Sequence, residues 1–135
     1  MQISISLLEN QKLEAHFDGY SIACDQPVSN KGDGSAPGPF DYFLASTALC
    51  AGYYVKAYCS SRNISTDGIK IIQNNTKDPE NKYKYTFDIK VEVPVEFSQK
   101  DRDGILRSIQ GCTVKKAIQQ MPDFNVEVFS LNANN

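Results

Sequence analysis

The stretch FDYFLASTALCAGYYVKAYCSSRN, residues 40–63, constrains this chain more than any other. Its apolar residues fall on nearly every face of a helix. Such a helix must be wrapped by protein. Pro39 suits the first helical turn, where its missing N–H costs nothing. Asp41 lies in that turn, favourably placed for the helix dipole. Ala45, Ser46, Ala48, Ala51 and Gly52 are small, which lets another backbone or a partner subunit come close. From Phe40 to Cys59 the run nears the roughly 20 residues that span a bilayer. Asp41, Ser46, Thr47 and Lys56 interrupt it, so we read a buried core helix that ends near Arg62-Asn63.

The rest of the chain supplies layers for that helix. Met1, Ile3, Ile5 and Leu7 alternate with polar residues, as do Leu13, Ala15 and Phe17, and then Tyr20, Ile22 and Cys24. Period two predicts strands. Glu9-Asn10-Gln11 and Asp18-Gly19 supply the turns, the second a two-residue hairpin signal. Three meandering strands should therefore precede residue 25. Residues 25–39, DQPVSNKGDGSAPGP, form a Gly/Pro-rich loop of a length that is often functional.

After the helix, Ile69 to Gln73 reads as a short strand and NNTKDPEN as a polar loop. Tyr83, Tyr85, Phe87, Ile89, Val91 and Val93 then give the clearest alternation in the chain. Ser98 to Asp101 fits a capping box. It opens a helix with Ile105, Leu106 and Ile109 on its apolar stripe and Gly111 as its C-cap. A shorter helix should run from Thr113 to Met121, and Phe124, Val126 and Val128 suggest a last strand. The tail LNANN should fray. Strands and helices are partly segregated and the hairpins are antiparallel, so the class is α+β. One domain over residues 1–135 suits the length.

Composition removes several functions. The net charge is -2 with no Lys/Arg run, which argues against nucleic acid as a partner. The N-terminus lacks the pattern of a signal peptide, so a cytoplasmic setting with free thiols is expected, with no membrane association. Only one His is present, which excludes a two-His metalloprotease motif. No Cys-x-x-Cys pair occurs, and neither a metal nor a cofactor is expected.

The four Cys are the remaining chemical resource. His16 is the only imidazole that could serve a thiol as base, but its strand parity turns it to solvent. Cys24 shares an apolar strand face with Tyr20 and Ile22 and reads as a small hydrophobe, and so does Cys59. Cys50 and Cys59 lie on opposite faces of the helix. Cys50 sits midway along the buried helix, where apolar surroundings should raise its pKa and keep it inert. Cys112 follows Gly111 at a helix start, with Lys115 and Lys116 one turn on. Free N–H groups and positive charge favour a thiolate there, and packing and reactive readings stand level.

Taken together, NKGDGSAPGPFDYFLASTALCAGYYVKAYCSSRNI and GCTVKKAI resemble the OsmC/Ohr family of organic hydroperoxide reductases and osmotically induced relatives. The shared features are the Gly/Pro-rich loop, the Pro and acid that open a small-residue helix, and a Cys within it. The second stretch is similar to the family's Cys-x-Val-x-Lys-x-Leu segment. The resemblance is closest to OsmC-like domains that precede YcaO-type domains.

The resemblance implies an OsmC-like fold, with antiparallel sheets wrapped around long central helices in an intertwined homodimer and a site at the subunit interface. It implies a thiol-dependent peroxidase with a role in oxidative stress. Cys50 would be the peroxidatic thiol, Cys112 the resolving thiol and Asp41 the carboxylate near the helix start. The substrate would be a small hydroperoxide and the reductant a dithiol. Phe43, Tyr53 and Tyr54 would offer an alkyl substrate apolar surroundings. The family's activating Arg, supplied from the N-terminal region, has no counterpart, because no Arg precedes Arg62. Without that cation Cys50 should titrate high. The alternative is an OsmC-like binding module holding an apolar ligand or a YcaO-type partner.

Overall fold

The computed structural model describes residues 1–130. The three opening strands form as expected: β1 (Ser4–Leu7), β2 (Leu13–Phe17) and β3 (Tyr20–Cys24). They pair as an antiparallel meander in the order β1-β2-β3. Asp18 and Gly19 both take positive φ, 46° and 81°, which the tight β2–β3 turn requires. Register brings Ile5, Ala15 and Ile22 together across the sheet, and likewise Leu7, Leu13 and Cys24. This apolar face is largely open, with Ile5, Leu7 and Tyr20 exposed.

The Gly/Pro-rich loop folds around one carboxylate. Asp25 has no exposed surface. Its Oδ1 accepts from Gln26 N at 2.7 Å, and its Oδ2 from Ser35 N at 2.9 Å, Ser35 Oγ at 2.7 Å and Asp33 N at 3.2 Å. Those bonds, led by the two from Ser35, outweigh burial and hold the carboxyl at about 2. Gly32 is obligatory beside it, because a Cβ there would overlap the Gln26 carbonyl oxygen.

The loop feeds α1 (Pro39–Ser60). Asp41 Oδ2 accepts from Gly38 N at 2.8 Å and caps the helix start. The lower part of α1 builds the core: Val55, Tyr58 and Cys59 pack with Ile105 of α2 (Gln99–Ile109). Ile71 and Val91 of the second sheet, with Val93 just beyond it, close that cluster. This sheet is an antiparallel pair, β4 (Lys70–Lys77) and β5 (Tyr85–Glu92). β4 runs longer than the sequence suggested. Asn74 to Lys77, read as loop, continue the ladder to the Lys77–Tyr85 pair because β5 offers partners that far. Ser98 caps α2 as expected, its Oγ accepting from Asp101 N at 3.1 Å.

Two expectations fail. The last strand is missing: residues 122–130 follow α3 (Thr113–Gln119) without secondary structure. Phe124, Val126 and Val128 are exposed, since no neighbouring strand of this chain meets them. Nor does this one chain wrap α1 on every side: Leu49 and Tyr53 are 73% and 66% exposed. They flank an open groove with Ala45, Ala48 and Gly52. The tail LNANN lies outside the described residues.

Candidate active site

Cys50 projects from the middle of α1, and Cys112 is the N-cap residue of α3. The fold brings the two thiols within hydrogen-bonding reach, although 62 positions part them in the sequence (112 − 50). Lys115 N donates to Cys112 Sγ at 3.4 Å. Burial opposes ionisation of Cys50, but a hydrogen bond from the Cys112 thiol and others from Val114 and Thr113 N–H win. Its pKa falls below the ordinary thiol value. Burial and the charge and hydrogen bond of Cys50 raise that of Cys112.

The first of these directions reverses the sequence reading. The sequence places Cys50 high for want of a cation, and for Cys112 it leaves a thiolate and a packed thiol level. The N–H groups at the start of α3 do favour a thiolate, but two of them serve Cys50 rather than Cys112 alone. Sequence could not show this, because it depends on α3 being seated against α1.

Cys112 is 3% exposed, yet it borders a cavity of about 350 Å³. Phe87 and Ile89 of β5, Ala51 of α1 and Ile109 of α2 give it an apolar wall, and Lys115 stands at its edge. Thr47, buried one turn before Cys50, also lines it, with its hydroxyl 2.7 Å from Gln73 Oε1. From sequence Thr47 is only a polar break in the apolar run and Gln73 only the end of a strand, and neither is a site candidate. The usable signal was Thr47 at i−3 from a helical Cys.

The other site expectations fall elsewhere. Asp41 lies nine residues before Cys50 on α1, an axial rise of about 13.5 Å. Its carboxylate acts on Cys24, whose thiol is pushed up by burial and by the Asp25 and Asp41 charges. Cys59 is fully buried and is also raised by burial. Cys59 matches the packing role read from sequence, whereas Cys24 is only half-buried on the open face of the first sheet. Tyr54 reaches the thiol pair's turn, its hydroxyl 3.5 Å from Thr113 Oγ1. Tyr53 faces away into solvent, and Phe43 stacks on Phe40 near the helix start. His16 sits on the polar face of the first sheet, bonded to Ser6 and Ser21 at 3.0 Å each. Among the described residues no cluster is suited to a metal, and no helix is long and apolar enough to cross a membrane.

An α+β chain with two thiols paired between a long helix and a short helix start defines a recognisable class. Residues 32–127 match the family model of the OsmC-like protein, and the chain belongs to that family. No curated protein matches it. Solved structures share the fold at low identity. An osmotic stress induced and detoxification response protein from Psychrobacter arcticus 273-4 superposes with a TM-score of 0.71 at 19% identity, covering 87% of each chain. The OsmC like protein from Mycoplasma pneumoniae gives 0.69 at 15% identity, over 89% of this chain and 87% of that one. The organic hydroperoxide resistance protein OsmC from Legionella pneumophila gives 0.54 at 17% identity, over 87% and 88%.

Proposed function

We propose that this chain is a thiol peroxidase for organic hydroperoxides, working through Cys50 and Cys112. The single observation that carries the reading is that Cys50 of α1 and Cys112 at the head of α3 meet beside an apolar cavity, and the surroundings push the two thiols in opposite directions, Cys50 downward and Cys112 upward. A neighbouring pair of like groups titrates in two separated steps, which divides nucleophile from partner.

The steps follow that order. The Cys50 thiolate attacks the distal peroxide oxygen. An S–O bond forms, the O–O bond breaks, and the alkoxide leaves as an alcohol after taking a proton. Cys50 is then an uncharged sulfenic acid. The charge that held the Cys112 proton has gone, so Cys112 can ionise and attack the Cys50 sulfur. An S–S bond forms, the S–O bond breaks, and hydroxide leaves as water. A dithiol reductant exchanges through both sulfurs and is itself oxidised to a disulfide. The apolar cavity beside Cys112 suits an alkyl group. Asp41 enters this reading as the carboxylate that fixes the head of α1.

The working unit in this reading is a homodimer. The open face of the first sheet, the Leu49–Tyr53 face of α1 and the side chains of Phe124, Val126 and Val128 are all uncovered in one chain. A second copy would bury them together.

The test is turnover of cumene hydroperoxide with dithiothreitol, on protein whose sedimentation is recorded alongside. Wild type should turn over as a dimer and Cys50→Ser should lose activity to background. Cys112→Ser should accumulate a Cys50 sulfenic acid that dimedone traps, whereas wild type should form the disulfide instead. Equal inactivity of wild type and Cys50→Ser would defeat the reading and leave an apolar-ligand or partner-binding module. A monomer at micromolar concentration would defeat the dimer.

A further inference from the structure

The turn that carries Cys112 is held against α1 by contacts that do not involve sulfur. Tyr54 lies four residues after Cys50, so the two side chains stand one above the other on the same face of α1. Cys50 meets this turn at Cys112, Thr113 and Val114. Tyr54 meets it one step earlier. A Cβ on Gly111 would lie 3.1 Å from Tyr54 Cε1 and 3.0 Å from the Ser108 carbonyl oxygen. Ser108 Oγ donates in turn to the Tyr54 carbonyl oxygen at 3.1 Å. The Tyr54 ring is itself braced edge-on by Tyr53, with centroids 5.3 Å apart.

Gly111 is therefore not glycine for a left-handed cap. It does not share the positive φ of Gly19, Gly34 and Gly68. The absence of a side chain is what lets the turn rest on an aromatic ring.

We propose that the Tyr54–Gly111 contact is the spacer that sets the separation of the Cys50 and Cys112 thiols, making both of them positioning residues for the pair. The inference rests on the reading of Cys50 and Cys112 as a redox pair. It adds the means by which their spacing is fixed. A methyl group on Gly111 lifts the turn from α1. Cys112 then moves away from Cys50, and so do the Thr113 and Val114 N–H groups that favour its thiolate. The contacts at Gly111 demand a shift of a few tenths of an ångström, and since misplacement by about 1 Å can cost on the order of a hundredfold in rate, a several-fold loss is expected.

Oxidised glutathione tests this without any hydroperoxide. Cys50 attacks it and releases one glutathione, forming a mixed disulfide. Cys112 then attacks the Cys50 sulfur and releases the second glutathione, closing the intramolecular bond. Mass spectrometry follows both species, and the pH profile of Cys50 alkylation is read in parallel. Gly111→Ala should slow closure several-fold and move the alkylation midpoint to higher pH. Tyr54→Phe, which keeps the ring, should behave as wild type. Adding Tyr54→Leu to Gly111→Ala should restore much of the closure rate by making room for the methyl.

A folded Gly111→Ala protein with wild-type closure and alkylation would overturn the proposal. So would a double variant no faster than Gly111→Ala, since the Ser108 carbonyl would then be the obstacle. Should Gly111→Ala fail to fold, Tyr54→Ala carries the test. It should slow closure where Tyr54→Phe does not, and equal rates would overturn the proposal. Glutathione-driven closure without cumene hydroperoxide turnover would sink the peroxidase reading alone.

Discussion

Gly104→Ala should destabilise the protein, although glycine-to-alanine changes inside helices ordinarily stabilise by about 1 kcal/mol. Gly104 is buried in α2, and a Cβ there would overlap the ring of Tyr58. That ring is held from several sides. Its hydroxyl donates to Asp101 Oδ1 at 3.1 Å, and the Arg62 guanidinium stacks 3.9 Å from its centroid. Val55, Cys59 and Ile105 occupy the same core cluster. Overpacking of this kind costs roughly 1–3 kcal/mol, and expulsion of the ring would add to it. Thermal unfolding should show a fall of about 10 °C in Tm. A Tm equal to or above wild type would show that α1 and α2 are not packed this closely.

Asp25→Asn should cause a comparable loss, of about 10 °C in Tm at neutral pH. The four donors around Asp25 all need an acceptor, and the amide would turn an NH₂ group toward some of them. The acid response carries a sign. The folded carboxyl sits at about 2, below its ordinary 3.8. Its contribution is therefore complete above about pH 4 and drains away as pH falls through 2. Wild type should lose stability across that window, and Asp25→Asn should lose less of it. Parallel acid limbs for the two proteins would mean that the carboxylate is not held as described.

Asp25 also marks where sequence reading stopped. DQPVSNKGDGSAPGP announces a loop by its Gly and Pro, but nothing local says that its aspartate is buried. That burial comes from residues eight and ten positions later folding back. The strands and helices were legible because period two and the capping signals are local. Strand β4 was cut short because Asn74 to Lys77 carry no apolar alternation, and only their pairing with β5 makes them a strand. The apolar alternation at Phe124, Val126 and Val128 misled for the opposite reason, since a strand needs a partner as well as a pattern. Within the proposed site, Cys50 and Cys112 were named as a pair only through the family resemblance. Their ionisation order was not legible, because it depends on where the start of α3 is seated.

The most direct test is competitive alkylation of the reduced wild-type protein by iodoacetamide, with each Cys quantified by mass spectrometry across pH 6 to 11, a span that brackets the ordinary thiol pKa of 9.0. Cys50 should label first, with a midpoint below the ordinary thiol value, and Cys112, Cys24 and Cys59 should follow only at higher pH. Labelling of Cys112 ahead of Cys50, or of both together at high pH, would contradict the reading of Cys50 as the nucleophile.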